Sequence, residues 1–100
     1  MMHPGLTTVH IRNYVEGFYR LPSGALSTRS RKRKIARSRQ VAMYLTRIMT
    51  RKSFPDIGER FGGYDHSTVI HAVRNVQRLI ETDPDFALDV EVLRQRVVGQ

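Results

Sequence analysis

The 100-residue sequence has no cysteine and no tryptophan. Without thiols there is no disulfide framework, no thiolate zinc site and no cysteine nucleophile. Long apolar runs are missing as well, and no segment approaches the ~20 residues that a bilayer-spanning helix needs. Met1 to Gly5 lacks a charged region followed by an apolar stretch, so no secretory leader is expected. Secretion and membrane insertion are set aside, and the expected compartment is the cytoplasm. Acidic residues are scarce, 9 Asp and Glu against 17 Lys and Arg, for a net charge of +8. Paired carboxylates, a nucleophile beside a base and a metal-ligating cluster are all lacking, so neither an enzyme nor a cofactor is expected. His66 and His71 stand five apart rather than four, with no carboxylate in helical register, which argues against a zinc site.

The basic residues are unevenly placed. Between Gly17 and Pro55 there is no acid, yet eleven Lys and Arg occur. From Glu81 onward five acids face two arginines. Such segregation gives the folded chain one positive face, the electrostatic footprint of a nucleic-acid binder rather than of an evenly solvated surface.

Apolar spacing predicts helices throughout. Thr7 or Thr8 caps a first helix with Ile11, Val15 and Phe18 inward, and Leu21-Pro22-Ser23-Gly24 ends it. Ser23 is placed to cap a short turn through Ala25 and Leu26. Ser27 to Lys34 is charged and aperiodic, hence a loop, with its basic part at 29–34. A long helix follows from about Ile35 to Thr50, inward through Val41, Ala42, Leu45, Ile48 and Met49. Ser53-Phe54-Pro55-Asp56 starts a short helix, with Ser53 as cap and proline in the first turn, and Gly62-Gly63 ends it. Asp65 caps a helix over 66–81 with Val69, Val73, Val76 and Ile80 inward. Asp83-Pro84 opens the last one, inward through Phe86, Val90, Leu93 and Val97. Nothing alternates with period two. The expectation is a single all-α domain over 1–100, with about six helices around one small core.

Two of these helices, 53–61 and 66–81, are joined by a short glycine-containing turn. That is the pattern of a helix-turn-helix, whose second helix reads the major groove with its first residues. Those residues are Asp65, His66, Ser67 and Thr68, which can accept from cytosine, reach bases or phosphates, or pack on a thymine methyl. His71, Arg74 and Arg78 continue the outward stripe from Ser67. Arg31 to Lys34 reads as an arm for the neighbouring minor groove, a localisation-type tract or a plain solvated run, and the adjacent helix-turn-helix favours the arm.

Three blocks carry a family resemblance. They are Ala36-Arg37-Ser38-Arg39-Gln40-Val41-Ala42-Met43-Tyr44-Leu45-Thr46-Arg47, Ser53-Phe54-Pro55-Asp56-Ile57-Gly58 and Phe61-Gly62-Gly63-Tyr64-Asp65-His66-Ser67-Thr68-Val69-Ile70-His71-Ala72. They resemble the C-terminal DNA-binding domain of the bacterial chromosomal replication initiator DnaA, over about residues 5–98. The resemblance implies a six-helix fold with a basic loop, and binding to the short asymmetric DnaA box in double-stranded DNA; on its own the chain is expected to be a monomer. It places Arg31 in the minor groove, and Pro55, Asp65, His66 and Ser67 on bases in the major groove. It places Arg33, Arg39, Gln40, Arg47, Thr50, Tyr64 and Thr68 at phosphates. The sequence departs from the pattern where Tyr64 replaces an arginine and Ser67 replaces a threonine. A further departure is that the 100 residues hold no phosphate-binding loop of the nucleotide-hydrolysing kind. With Met1-Met2 at its start, the chain reads as a complete stand-alone relative or as an excised domain. Besides box binding at origins, the open functions are a regulator competing for such boxes, a protein-interaction adaptor using the acidic last helix and the aromatics of the first, and an RNA binder. A-form RNA hides its major groove, so the polar start of helix 66–81 favours duplex DNA.

Overall fold

The computed structural model describes residues 5–99. The paired methionines at the start, and most of the stretch read for a leader, lie outside the described residues. Five α-helices follow one another: α1 (Thr8–Phe18), α2 (Arg33–Met49), α3 (Phe54–Arg60), α4 (His66–Thr82) and α5 (Pro84–Val98). A short 3-10 turn, Ala25–Ser27, lies between α1 and α2. No strand occurs among the described residues. The expected all-α architecture is observed, and its sixth helical element is this single turn.

Local chemistry accounts for the boundaries. The Thr7 hydroxyl accepts from the His10 amide at 3.1 Å and starts α1. The Ser53 hydroxyl accepts from the Asp56 amide at 3.2 Å, and Pro55 sits in the first turn of α3. The Asp83 carboxylate accepts from the Phe86 amide at 3.2 Å and starts α5. Gly62 and Gly63 follow α3 with φ of 105° and 83°, conformations that cost a side-chain-bearing residue free energy.

Three local expectations change. Ser23 does not cap the turn after α1. Gly24 occupies that position, and the buried Glu16 of α1 reaches across to accept from the Gly24 amide at 3.1 Å and the Leu26 amide at 3.0 Å. Each carboxylate oxygen takes one amide, and an ionised acceptor makes stronger hydrogen bonds than a neutral hydroxyl. Secondly, α2 begins at Arg33, so Arg33 and Lys34 form its first turn and the basic loop is shorter than 29–34. Thirdly, Asp65 holds the N-cap position of α4, yet its side chain makes no capping hydrogen bond.

α2 packs chiefly on α4 and α1, and α4 also covers α3 and α5. Ile11, Val15, Leu26, Val41, Leu45, Ile57, Phe61, Val69, Val76 and Leu93 are wholly enclosed, which makes one core. Phe86 and Ile80 close its edge half-buried. Burying side chains of this size removes apolar surface from water at about 25 cal/mol per Å².

Candidate nucleic-acid interface

The junction of α3 and α4 is built on Gly58. Its carbonyl accepts three amides, from Phe61 at 3.2 Å, Gly63 at 3.1 Å and Tyr64 at 2.9 Å. Only hydrogen fits at its α-carbon, because a Cβ there would meet the Tyr64 carbonyl oxygen at 2.0 Å. The chain therefore reverses within a few residues and starts α4 directly against α3.

The start of α4 is a polar, outward surface. Asp65, His66, Ser67 and Thr68 are all exposed, and Val69 is the first residue to point into the core. The Asp65 carboxylate takes the Ser67 hydroxyl as donor and lies 3.2 Å from His66 Nδ1. Foremost the Ser67 hydrogen bond, then His66, holds the Asp65 carboxyl below the usual carboxylate range. The carboxylate is thus ionised near neutrality, an acceptor facing solvent.

The basic loop lies against the same turn. Arg29 donates from one guanidinium nitrogen to the Gly62 and Gly63 carbonyls, each at 3.2 Å. The loop backbone also approaches closely, since a Cβ on Gly62 would lie 2.9 Å from the Ser27 carbonyl oxygen. From α2, Arg39 donates to the Thr28 carbonyl at 3.0 Å and the Ser30 carbonyl at 2.8 Å. Arg29, Ser30, Arg31, Ala36, Arg39 and Tyr64 line a cleft of about 460 Å³ between loop and turn. At the start of α2, Arg33 and Lys34 add two cations and the first turn contains no acid. The positive end of the helix dipole points the same way, which makes this corner a strong anion-attracting surface.

Known proteins share this helix-turn-helix fold. A family model described as the bacterial DnaA protein helix-turn-helix matches residues 9–76. The chain belongs to this family. The chromosomal replication initiator protein DnaA of Zymomonas mobilis subsp. mobilis is 46% identical over 94 residues, covering 94% of this chain and 19% of that protein. Its counterpart in Sphingopyxis alaskensis is 46% identical over 92 residues, covering 92% of this chain and 20% of that protein. The DnaA of Wolbachia pipientis wMel is 42% identical over 93 residues, 93% of this chain and 20% of that protein. A solved crystal structure of a DNA replication initiation factor superposes with a TM-score of 0.81 at 28% identity, over 92% of this chain and 28% of that one. The chain spans about a fifth of the length of the curated DnaA relatives it matches.

Within this DnaA-type domain the residues expected at the site fall into three groups. Asp65, His66, Ser67 and Thr68 share the start of α4. Arg31 and Tyr64 share the cleft with Arg39, while Arg31, Arg33 and Gln40 line a shallower depression beside Arg37 and Asn75. Pro55, Arg47 and Thr50 gather where α2 passes into α3, with the Arg47 guanidinium 3.9 Å from the Phe54 ring centroid. Two side chains differ from a surface-facing expectation. Arg39 is 7% exposed and is occupied with loop carbonyls. Burial first, and the Arg29 charge as well, lower its pKa, with Tyr64 opposing them. Thr50 is buried too, and its hydroxyl donates to the Thr46 carbonyl at 2.6 Å.

Two partners were invisible to spacing. Asn75 donates to Gln40 Oε1 at 2.9 Å and accepts from Arg78 at 2.6 Å, fixing the Gln40 amide from α4. Arg29 lay inside the basic run, where nothing in the local sequence separated it from its neighbours. Among the described residues no helix is long and apolar enough to cross a membrane, and no cluster of potential metal ligands occurs.

Proposed function

We propose that this domain binds double-stranded DNA sequence-specifically at a DnaA-box-like site. The start of α4 enters the major groove, where Asp65, His66, Ser67 and the neighbouring Pro55 meet base edges. Arg31 enters the adjacent minor groove from the basic loop. Arg33, Gln40, Arg47 and Thr68 meet the phosphates between, with Arg39, Thr50 and Tyr64 behind them. The observation that supports this most directly is the attachment of the basic loop to the turn before α4 by Arg29, and to α2 by Arg39, which holds the loop beside the start of α4. A polar helix start reads a distinct donor and acceptor pattern in the major groove, and a basic arm suits the narrow minor one. A single helix-turn-helix with one arm fits an asymmetric site and a monomer. Replication initiators of the relatives' kind then owe their address on DNA to this part of the chain.

The test is a fluorescence-anisotropy titration of the protein against a box duplex, a scrambled duplex and an RNA hairpin at several salt concentrations. The box should bind tightest, by about a thousandfold or more over scrambled DNA. Binding to both duplexes should weaken with salt, because it releases counterions from the phosphates and that release gains less at high salt. Arg31→Ala should cost about 1–3 kcal/mol on the box and much less on scrambled DNA. Equal affinity for box and scrambled duplex removes sequence specificity, tighter binding of the hairpin favours RNA, and no binding at all favours the adaptor.

A further inference from the structure

Between the basic loop and α4 stands a side chain that breaks the family pattern, and its surroundings give it a use. Tyr64 is half-buried, with cationic side chains packed around its ring. The Arg29 guanidinium carbon lies 4.4 Å from the ring centroid, and that of Arg39 lies 5.1 Å away. Each of these arginines is committed to a different backbone. Arg29 leaves the loop and grips the Gly62 and Gly63 carbonyls immediately before Tyr64. Arg39 leaves α2 and grips the Thr28 and Ser30 carbonyls on either side of Arg29. The ring therefore joins three segments: the loop, α2 and the turn into α4.

We propose that Tyr64 is a positioning residue that locks the basic loop in register with the start of α4. This rests on the DNA-reading function proposed above. An aromatic ring attracts cations to its faces through its quadrupole, and does so best where water is partly excluded. Here it draws together two guanidiniums that repel each other. An arginine at this place would put a fourth like charge into a cleft already lined by Arg29, Arg31 and Arg39. In this chain, then, position 64 has exchanged a cationic phosphate partner for an internal clamp. Arg31 follows Arg29 by two residues, so ordering Arg29 sets where Arg31 begins. The conformational freedom of the arm is lost during folding rather than at the DNA, and preorganisation of this kind raises affinity for the one site whose two grooves match the fixed register. Scrambled DNA, bound through phosphates alone, gains little from it.

Three variants test the clamp: Tyr64→Ala, Tyr64→Phe and Tyr64→Arg. In the free protein, backbone order parameters of Arg29, Ser30 and Arg31 are measured by NMR relaxation. They should lie near about 0.85 in wild type and Tyr64→Phe, and drop below about 0.6 in Tyr64→Ala, while α5 stays rigid. On DNA, Tyr64→Ala should lower the box-to-scrambled affinity ratio about tenfold, Tyr64→Phe should keep it, and Tyr64→Arg should strengthen scrambled binding while lowering the ratio. With Arg31→Ala already present, Tyr64→Ala should lower the ratio by much less. A Tyr64→Ala protein with an unchanged loop and an unchanged ratio overturns the proposal. So does a Tyr64→Phe protein as impaired as Tyr64→Ala, since the hydroxyl rather than the ring would then be responsible. If wild type itself does not prefer the box, the DNA-reading function fails while the order parameters still decide the clamp.

Discussion

Gly58 and Gly17 are both helical glycines, and adding one methyl group to each should move stability in opposite directions. A Cβ on Gly58 would lie 2.0 Å from the Tyr64 carbonyl oxygen, 3.0 Å from its carbon and 3.4 Å from Val69 Cγ2. Comfortable contact begins at about 3.5 Å, so the turn must retreat by more than an ångström. It is not free to do so, because the amides of Phe61, Gly63 and Tyr64 all end on the Gly58 carbonyl. Overpacking a core costs about 1–3 kcal/mol, and here the obstacle is fixed backbone, so the upper end, about 3 kcal/mol, applies to Gly58→Ala. In a domain of this size that lowers Tm by about 12–24 °C. Gly17, by contrast, is exposed near the end of α1 and has nothing within 4 Å of a Cβ. Gly17→Ala should stabilise by about 0.5 kcal/mol and raise Tm by about 2–4 °C. Thermal unfolding followed by circular dichroism, at one pH and salt, measures both. A Gly58→Ala protein melting within about 2 °C of wild type would refute the close approach of α3 and α4 on which the whole site depends.

Asp65→Asn should leave Tm nearly unchanged, because no capping bond is lost, yet relax discrimination at one base pair by about 1–3 kcal/mol in titrations with single-mismatch duplexes. His66→Ala should weaken box binding at equally constant Tm, and unaltered binding of both variants would remove α4 as the reader. Arg39→Ala and Arg47→Ala should separate by mechanism. Losing Arg39 removes two charge-assisted bonds to the loop and should cost about 1.5–3 kcal/mol of stability. Losing the exposed Arg47, which stacks on Phe54 and donates to the Lys52 carbonyl, should lower Tm by only a few degrees, weaken all DNA alike and lower the salt slope by about one. Burial first, with Asp89 nearby, pushes the Tyr19 phenol from 10.0 up to about 12. A folded pKa above the unfolded one favours folding below pH 10 and loses that contribution as pH rises toward 12, so Tyr19→Phe should flatten the alkaline fall in Tm across that window.

The helical frame could be read from one-dimensional patterns because the forces behind it are local. Val69, Val73 and Val76 repeat at helical spacing and are all buried in α4. Ser53 and Asp83 cap where a short polar side chain precedes a proline-bearing first turn. Two of the failures share one cause, a partner further off in the chain, and the third, at Asp65, is a local competition. Ser23 looked like a cap, but Glu16 from the previous helix took its place with two oxygens. Asp65 looked like a cap as well, but the Ser67 hydroxyl competes for its carboxylate. Arg39 carried the marks of a surface cation, and only the fold brings the Thr28 and Ser30 carbonyls within its reach.

The same distinction bears on why the basic corner is built as it is. Arg33 and Lys34 stand in the first turn of α2 with no acid to balance them and no side-chain cap at Lys32. Cations at a helix N-terminus oppose the dipole and cost the free fold stability. Arg39 sits close behind, with burial and the Arg29 charge both acting against its ionised form. A surface selected for solubility alone has no reason to concentrate these costs in one place. Their unfavourable terms reverse when polyanion arrives, since phosphates neutralise the arginines, meet the free amides of the α2 start and release bound counterions. Arg33 and Lys34, which oppose the dipole in the free fold, are thus the ones that would hold a phosphate backbone, while the neutral ring of Tyr64 lets Arg29 and Arg39 approach each other behind them.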